Sequence, residues 1–179
     1  MDTRKHAAGT VLIRSAEPED ARAISALLGQ RGTFEGTLQL PDAPIASRVE
    51  LLQRTDPQSC RLVAVAGQAL VGMANLHIQQ PSPRRSHVRG LGIAVDTQWQ
   101  GRGIGRKLMT RLLDWADNWG AVTRIELWVH VDNEAAIALY RSLGFVEEGR
   151  HKAYALKNGR YVDSLSMARL HPNQPLLAG

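Results

Sequence analysis

The stretch Gln100-Gly101-Arg102-Gly103-Ile104-Gly105 decides the fold. It follows an apolar run, Leu91-Gly92-Ile93-Ala94-Val95, that reads as a strand, and it opens a segment from Arg106 to Trp119 with apolar residues at helical spacing. A strand, a glycine-punctuated turn and a helix in that order leave several backbone N–H groups free at the helix's positive end. That arrangement seats a phosphate. Glycine lets the backbone approach the anion closely, because no Cβ intervenes. Two glycine-rich loops do not fit. The nucleoside-triphosphate loop needs GxxxxGK[ST], whereas Gly101 leads to Arg106-Lys107, with no Gly-Lys and no hydroxyl for magnesium. The dinucleotide fingerprint needs GxGxxG; Gly101, Gly103 and Gly105 give GxGxG, without the acidic residue expected at the end of a following parallel strand.

A third pattern, Gln/Arg-x-x-Gly-x-Gly/Ala, is met by Gln100, Gly103 and Gly105. Downstream, the strand-like run Arg124 to Val131 leads into Asn133-Glu134-Ala135-Ala136-Ile137-Ala138-Leu139-Tyr140-Arg141-Ser142-Leu143-Gly144-Phe145. Together, in this order and at this distance, the two elements resemble the coenzyme A-binding motifs of the GCN5-related N-acetyltransferases. The resemblance runs from about Val11 to Leu170, nearly the whole chain. It implies an α/β fold, a three-layer α/β/α sandwich whose mixed sheet splays between its fourth and fifth strands. It implies acetyl-CoA as co-substrate, lying in that cleft.

By the same resemblance, main-chain groups of Ile93, Ala94 and Val95 hold the pantetheine arm, and one N–H polarises the acetyl carbonyl. Gln100, Gly101, Arg102, Gly103, Ile104 and Gly105 hold the pyrophosphate. Arg102 and Arg106 either add positive charge there or form a solvated helix face. Asn133 caps the following helix and, in the family reading, also contacts the cofactor, as does Ala136. Tyr140 either packs on an apolar face with Ala136, Ile137 and Leu143 or directs its hydroxyl at the coenzyme A sulfur as general acid. A phenol near pKa ~10 and a thiol near ~8.5 make full proton transfer uphill by about 2 kcal/mol, which favours a hydrogen bond to the leaving sulfur. For the general base, His87 at the start of the fourth strand has a suitable intrinsic pKa. Glu126, His130 and a water chain are alternatives, and a surface role for His87 stays open.

Composition fits one soluble domain: 179 residues, 44% hydrophobic and 22% charged. Lone Cys60 excludes an internal disulfide framework, and no metal site is expected. The absence of a membrane-length apolar run or a leader-like N-terminus makes the cytoplasm the simplest location. A net charge of +5 is spread over dispersed arginines without aromatic interleaving, which argues against nucleic acid as a partner and suits a polyanionic co-substrate.

Patterning predicts a strand over Thr10 to Ala16, then a helix starting near Pro18 with Ala21, Ile24, Leu27 and Leu28 on one face. A flexible stretch punctuated by Gly29, Gly32 and Gly36 precedes a helix from Ala46 to Gln53. Hairpins are expected around Gly67-Gln68 and Asn158-Gly159, with a strand from His87 to Val95 between them in sequence. Residues 1–9 and 171–179 read as tails flanking a single domain, 10–170.

The acceptor is expected between Gly29 to Pro44 and the strands around Tyr154 and Tyr161, with Gly32-Thr33-Phe34-Glu35-Gly36 as a lid. Gln79 to Val88 and Lys152 to Asp163 resemble a bacterial subgroup that acetylates the α-amine of free amino acids such as phenylalanine and methionine. In that reading Arg84 or Arg85 clamps the substrate carboxylate, while Phe34, Leu38 or Leu40 surrounds an apolar side chain. Acetylation of a polyamine, an antibiotic or a protein N-terminus would use the same cofactor residues. A noncatalytic acetyl-CoA sensor is the reading from another class. Family resemblance also carries a homodimer.

Overall fold

The computed structural model describes residues 10–54 and 56–173. Seven strands form one mixed sheet in the order β1-β2-β3-β4-β5-β7-β6. They are β1 (Val11–Ser15), β2 (Cys60–Ala66), β3 (Ala69–His77), β4 (Val88–Val95), β5 (Arg124–His130), β6 (Val146–Lys157) and β7 (Arg160–Leu170). Every neighbouring pair is antiparallel except β4 and β5, which are parallel.

Side chains alternate across the strands, so each face has its own core. On one face, Val63 and Ala94 meet Ile24, Leu27 and Leu28 of helix α1 (Ala21–Leu28). The four residues expected to share a face of α1 are its buried residues. A short helical turn, α2 (Arg31–Phe34), and α3 (Ala46–Gln53) follow on the same chain segment. The other face carries Ala74, Leu76, Ile125, Leu127 and Val129 against α4 (Ile104–Asn118) and α5 (Glu134–Ser142). The result is the three-layer sandwich. Arg169 of β7 donates two 2.8 Å hydrogen bonds to Asp117, tying the end of α4 to the sheet.

Three expectations change. Residues 31–34 form a helical turn rather than an irregular stretch, closed by the N–H groups of Thr33 and Phe34 donating to the Gln30 carbonyl, and Gly32 lies so near Thr97 that a Cβ would be 2.5 Å from its Cγ2. His87 precedes β4 instead of starting it. His171 is not free tail: its N–H donates to the Thr123 carbonyl and its Nε2 sits 3.0 Å from the Asp117 carbonyl. The expected tails at 1–9 and 174–179 lie outside the described residues. Among the described residues, no helix is long and apolar enough to cross a membrane.

Candidate active site

Strands β4 and β5 pair at Val88↔Arg124, Arg89↔Ile125 and Gly90↔Glu126, and there the ladder stops. Each strand stays paired on its outer side: β4 with β3 as far as Val95, and β5 with β7 as far as His130. Two inner edges therefore part beyond Gly90 and Glu126, with backbone N–H and C=O groups left without a ladder partner. An extended ligand bearing amides can satisfy such edges as a surrogate strand.

The open end of this fork leads to the glycine turn. Gly101 and Gly103 have φ of 74° and 77°, and an added Cβ at either would meet nothing within 4 Å. Conformation, not protein packing, demands glycine here. Gly103 is the N-cap of α4 and offers no side-chain cap, so the first-turn N–H groups of that helix are bare. Those are the features of an anion seat, and they fit a pyrophosphate. Gly105 is different. Its added Cβ would lie 3.3 Å from Leu139 and about 4 Å from Val95 and Ile93, so it brings α4, α5 and the open arm of β4 together. Arg102 stacks on Trp99 at 4.7 Å, and Arg106 donates to the Ser142 hydroxyl. Gln100 donates from Nε2 to the Val95 carbonyl, bracing the turn. Asn133 caps α5 by accepting from the Ala136 N–H.

Tyr140 lies on α5, on the same face as Leu91, Ile93 and Val95. Its ring is buried and tilted against Phe145, 5.8 Å between centroids. Its hydroxyl has no hydrogen-bond partner among the described residues, and burial pushes its pKa up to about 12.

Opposite Tyr140, on the α1 face, the fork is lined by polar side chains that the sequence did not announce. Gly90 and Gly92 point to that face, where added Cβ atoms would lie 2.8 Å from Nε2 of His77 and 2.6 Å from Oδ1 of Asn75. His77 Nδ1 and Asn75 Nδ2 are 3.1 Å apart. Their signal was the pair of glycines two residues apart, which clears room for side chains across the strand pair.

A strap crosses the mouth of the fork. Gln30, just before α2, donates to Asp96 after β4; Gly36, just after it, packs on Asn133 after β5; Glu35 accepts from Asn158 in the β6–β7 turn. The segment 30–36 thus contacts both arms. Phe34 is half-buried at its end.

The expected base and carboxylate clamps fall elsewhere. His87 is exposed on the closed side of the fork, where its carbonyl accepts from the N–H groups of Thr123 and Arg124. The paired residues Val88 to Gly90 separate it from the open edges, so the structure does not bring it to Tyr140. Arg85 is already engaged: it donates to Glu126 at 2.8 Å, and Arg124 donates to the other oxygen at 2.7 Å. Arg84 is exposed in the turn Pro83–Arg85, also at the closed end. Glu126, held by two arginines, is a poor proton acceptor. Burial pushes its pKa up, but the hydrogen bonds from Arg124 and Arg85 outweigh that and the net shift is downward. Its stabilising contribution is therefore present above the unfolded value near ~4.3 and lost as pH falls through the lower folded value. Replacing Glu126 by Gln should cost about 2 kcal/mol at neutral pH and flatten the fall in melting temperature below about pH 4. Thermal melts of both proteins across that range check this. His130 is buried, with Nδ1 2.9 Å from the Ser164 hydroxyl.

A parted strand pair ending on a side-chain-free anion seat, with a buried phenol beside it, defines an acyltransferase that draws on coenzyme A. Comparison with known proteins agrees. The model of the acetyltransferase (GNAT) family matches residues 31–145. The L-amino acid N-acetyltransferase AaaT of Escherichia coli K12 is 42% identical over 160 residues, 89% of this chain and 98% of that one. The N-alpha-acetyltransferase RimI of Mycobacterium tuberculosis is 35% identical over 86% of this chain and 93% of its own. A structure from Salmonella typhimurium, solved with acetyl-CoA as its cofactor, shares the fold with a TM-score of 0.84 at 22% identity, covering 93% of this chain and 96% of the other. The chain belongs to the GNAT acetyltransferase family. It is an N-acetyltransferase with acetyl-CoA as co-substrate.

Proposed function

We propose that the acceptor is the α-amine of a free L-amino acid, which attacks the thioester carbonyl directly, without a covalent acyl-enzyme. The 42% identity to the E. coli L-amino acid enzyme, running over nearly the full length of both chains, carries this reading. Acetyl-CoA supplies the activated acyl group. In this reading the freed edge of Ile93, Ala94 and Val95 binds the pantetheine amides. The N–H groups from Gly101 to Gly105 bind the pyrophosphate, with Gln100 and Gln30 fixing the turn and Asn133 and Ala136 fixing the start of α5. Tyr140 donates a hydrogen bond to the departing sulfur. A homodimer in the cytoplasm belongs to the same proposal.

The likeness to an N-alpha-acetyltransferase favours one second reading, a protein N-terminus as acceptor. Thiol release from acetyl-CoA separates the two. Free apolar amino acids should be turned over at least tenfold better, in kcat/KM, than peptides bearing the same residue at the N-terminus. A preference for the peptides would overturn the amino-acid reading. A polyamine or aminoglycoside acceptor would overturn both.

A further inference from the structure

We infer that His77 is the proton acceptor for the attacking amine, working from the face of the fork opposite Tyr140. The inference rests on the reading that the acceptor is an amine, and not on which amine it is. An ammonium group cannot attack a carbonyl, so a proton must leave nitrogen before or during bond formation. The N–C bond then forms at the acetyl carbonyl as the C–S bond breaks, the sulfur carries away the electron pair, and the proton passes to the imidazole and on to solvent.

Position selects His77. It pairs with Gly90, and Gly90 is the last residue of β4 that is bonded to β5. The imidazole therefore stands over the vertex from which the inner edges part. Nε2 occupies the space a Cβ on Gly90 would take, 2.8 Å from that position. Asn75, over Gly92 at the first open stretch, contacts Nδ1 at 3.1 Å. If the amide nitrogen donates, Nδ1 is the acceptor and Nε2 carries the proton of the neutral ring; with the opposite tautomer and a flipped amide, Nε2 is the free base. Proton uptake at Nε2 uses the second arrangement, reached by tautomer exchange through water.

Electrostatics agree. Burial lowers the pKa of His77, and Arg61 on the neighbouring strand lowers it further. The other polar groups turned to this face are Asn75, Gln79 and, across the fork, Glu126 with its two arginines. Glu126 is neutralised by that pairing, so no free carboxylate among the described residues re-charges the ring. A neutral imidazole at physiological pH is the form that can take a proton. The rivals lack this placement: His87 is exposed at the closed end, and His130 is bonded to Ser164 four residues beyond Glu126, the vertex residue of β5.

The test is a pH profile of kcat/KM by thiol release, for whichever amine the survey above shows to be acetylated, with the wild type and His77→Gln. The wild type should lose activity as pH falls through a single ionisation below the free-histidine value of ~6.5. His77→Gln should lose that limb and fall about a hundredfold at neutral pH, recovering at alkaline pH where the amine is free by itself. Its affinity for acetyl-CoA should stay within twofold. An unchanged limb and rate in a folded variant would overturn the inference. NMR titration of the His77 ring in the wild type gives a check independent of any substrate or variant. Titration above the free-histidine value would also overturn it, while failure of amino acids alone as acceptors would leave it standing and strike only the substrate reading.

Discussion

Tyr140→Phe should lower kcat by about a hundredfold while leaving the affinity for acetyl-CoA within twofold. The size follows from what the hydroxyl can do. With the phenol pushed up to about 12 and a thiol near ~8.5, handing over the proton outright is uphill by about 5 kcal/mol. Donation of a hydrogen bond to a sulfur gaining negative charge is worth about 2–3 kcal/mol, which is the expected loss. Substitution by phenylalanine keeps the ring that packs on Phe145, so the fold should persist. Two measurements separate this role from packing. Acetyl thioesters of more acidic thiols should shrink the defect, because their sulfur needs less help in leaving. The wild-type rate should show no limb from phenol ionisation below about pH 11, given the raised pKa. Full activity in the variant, or a loss that appears in acetyl-CoA affinity instead, would remove Tyr140 from the chemistry.

The place of Tyr140 on the buried face of α5 was legible because its motif is local: a cap, a helical face and a terminal Gly-Phe lie within one short segment. The same holds for much of the fold. Helix α3 spans the predicted Ala46–Gln53, and the turn at Asn158-Gly159 has the two positive φ angles, 51° and 77°, that the dipeptide announced. What was illegible depends on contacts between distant segments. Nothing near Arg85 signals that its partner is Glu126, 41 residues away. The turn of helix at α2 was hidden behind three glycines, and one of those, Gly32, is dictated by Thr97, which follows the central strand β4. His87 drew notice through its intrinsic pKa and its place at a predicted strand end. A shift of one residue in that boundary, together with the direction in which the fork opens, leaves it on the wrong side. His77 has no motif of its own; the two glycines of β4 hint at room opposite them, and the register, His77 against Gly90, shows that this face overlooks the cleft.

In the mechanism proposed above, the two faces of the fork divide the chemistry. Tyr140 approaches from the α5 side, where burial keeps a phenol protonated and able to donate. His77 is placed on the α1 side, where burial lowers the pKa of the imidazole and favours the form able to accept. The same desolvation acts on both groups, and it favours the neutral form of each. On that proposal the parted sheet lets both reach one reacting centre, since a closed ladder between β4 and β5 would wall one face from the other.

Gly103→Val should weaken acetyl-CoA binding by roughly ten- to a hundredfold while the protein still folds. Gly103 holds φ 77° and ψ 5°, and a β-branched residue in that region costs about 2–3 kcal/mol. An added Cβ meets no protein atom within 4 Å, so the chain can relieve the strain by turning the loop, and the first N–H groups of α4 then lose their common aim. A coenzyme A fragment that keeps the pyrophosphate and lacks the pantetheine arm should suffer the same proportional loss by calorimetry, because the damage is confined to the anion seat. Gly105→Val makes the contrast. Its Cβ falls 3.3 Å from Leu139, and the branch has to enter the junction of α4, α5 and β4, so the melting temperature should drop by several degrees. If Gly103→Val binds acetyl-CoA as tightly as the wild type, the glycine turn is a helix cap and nothing more, and the pyrophosphate must be held elsewhere.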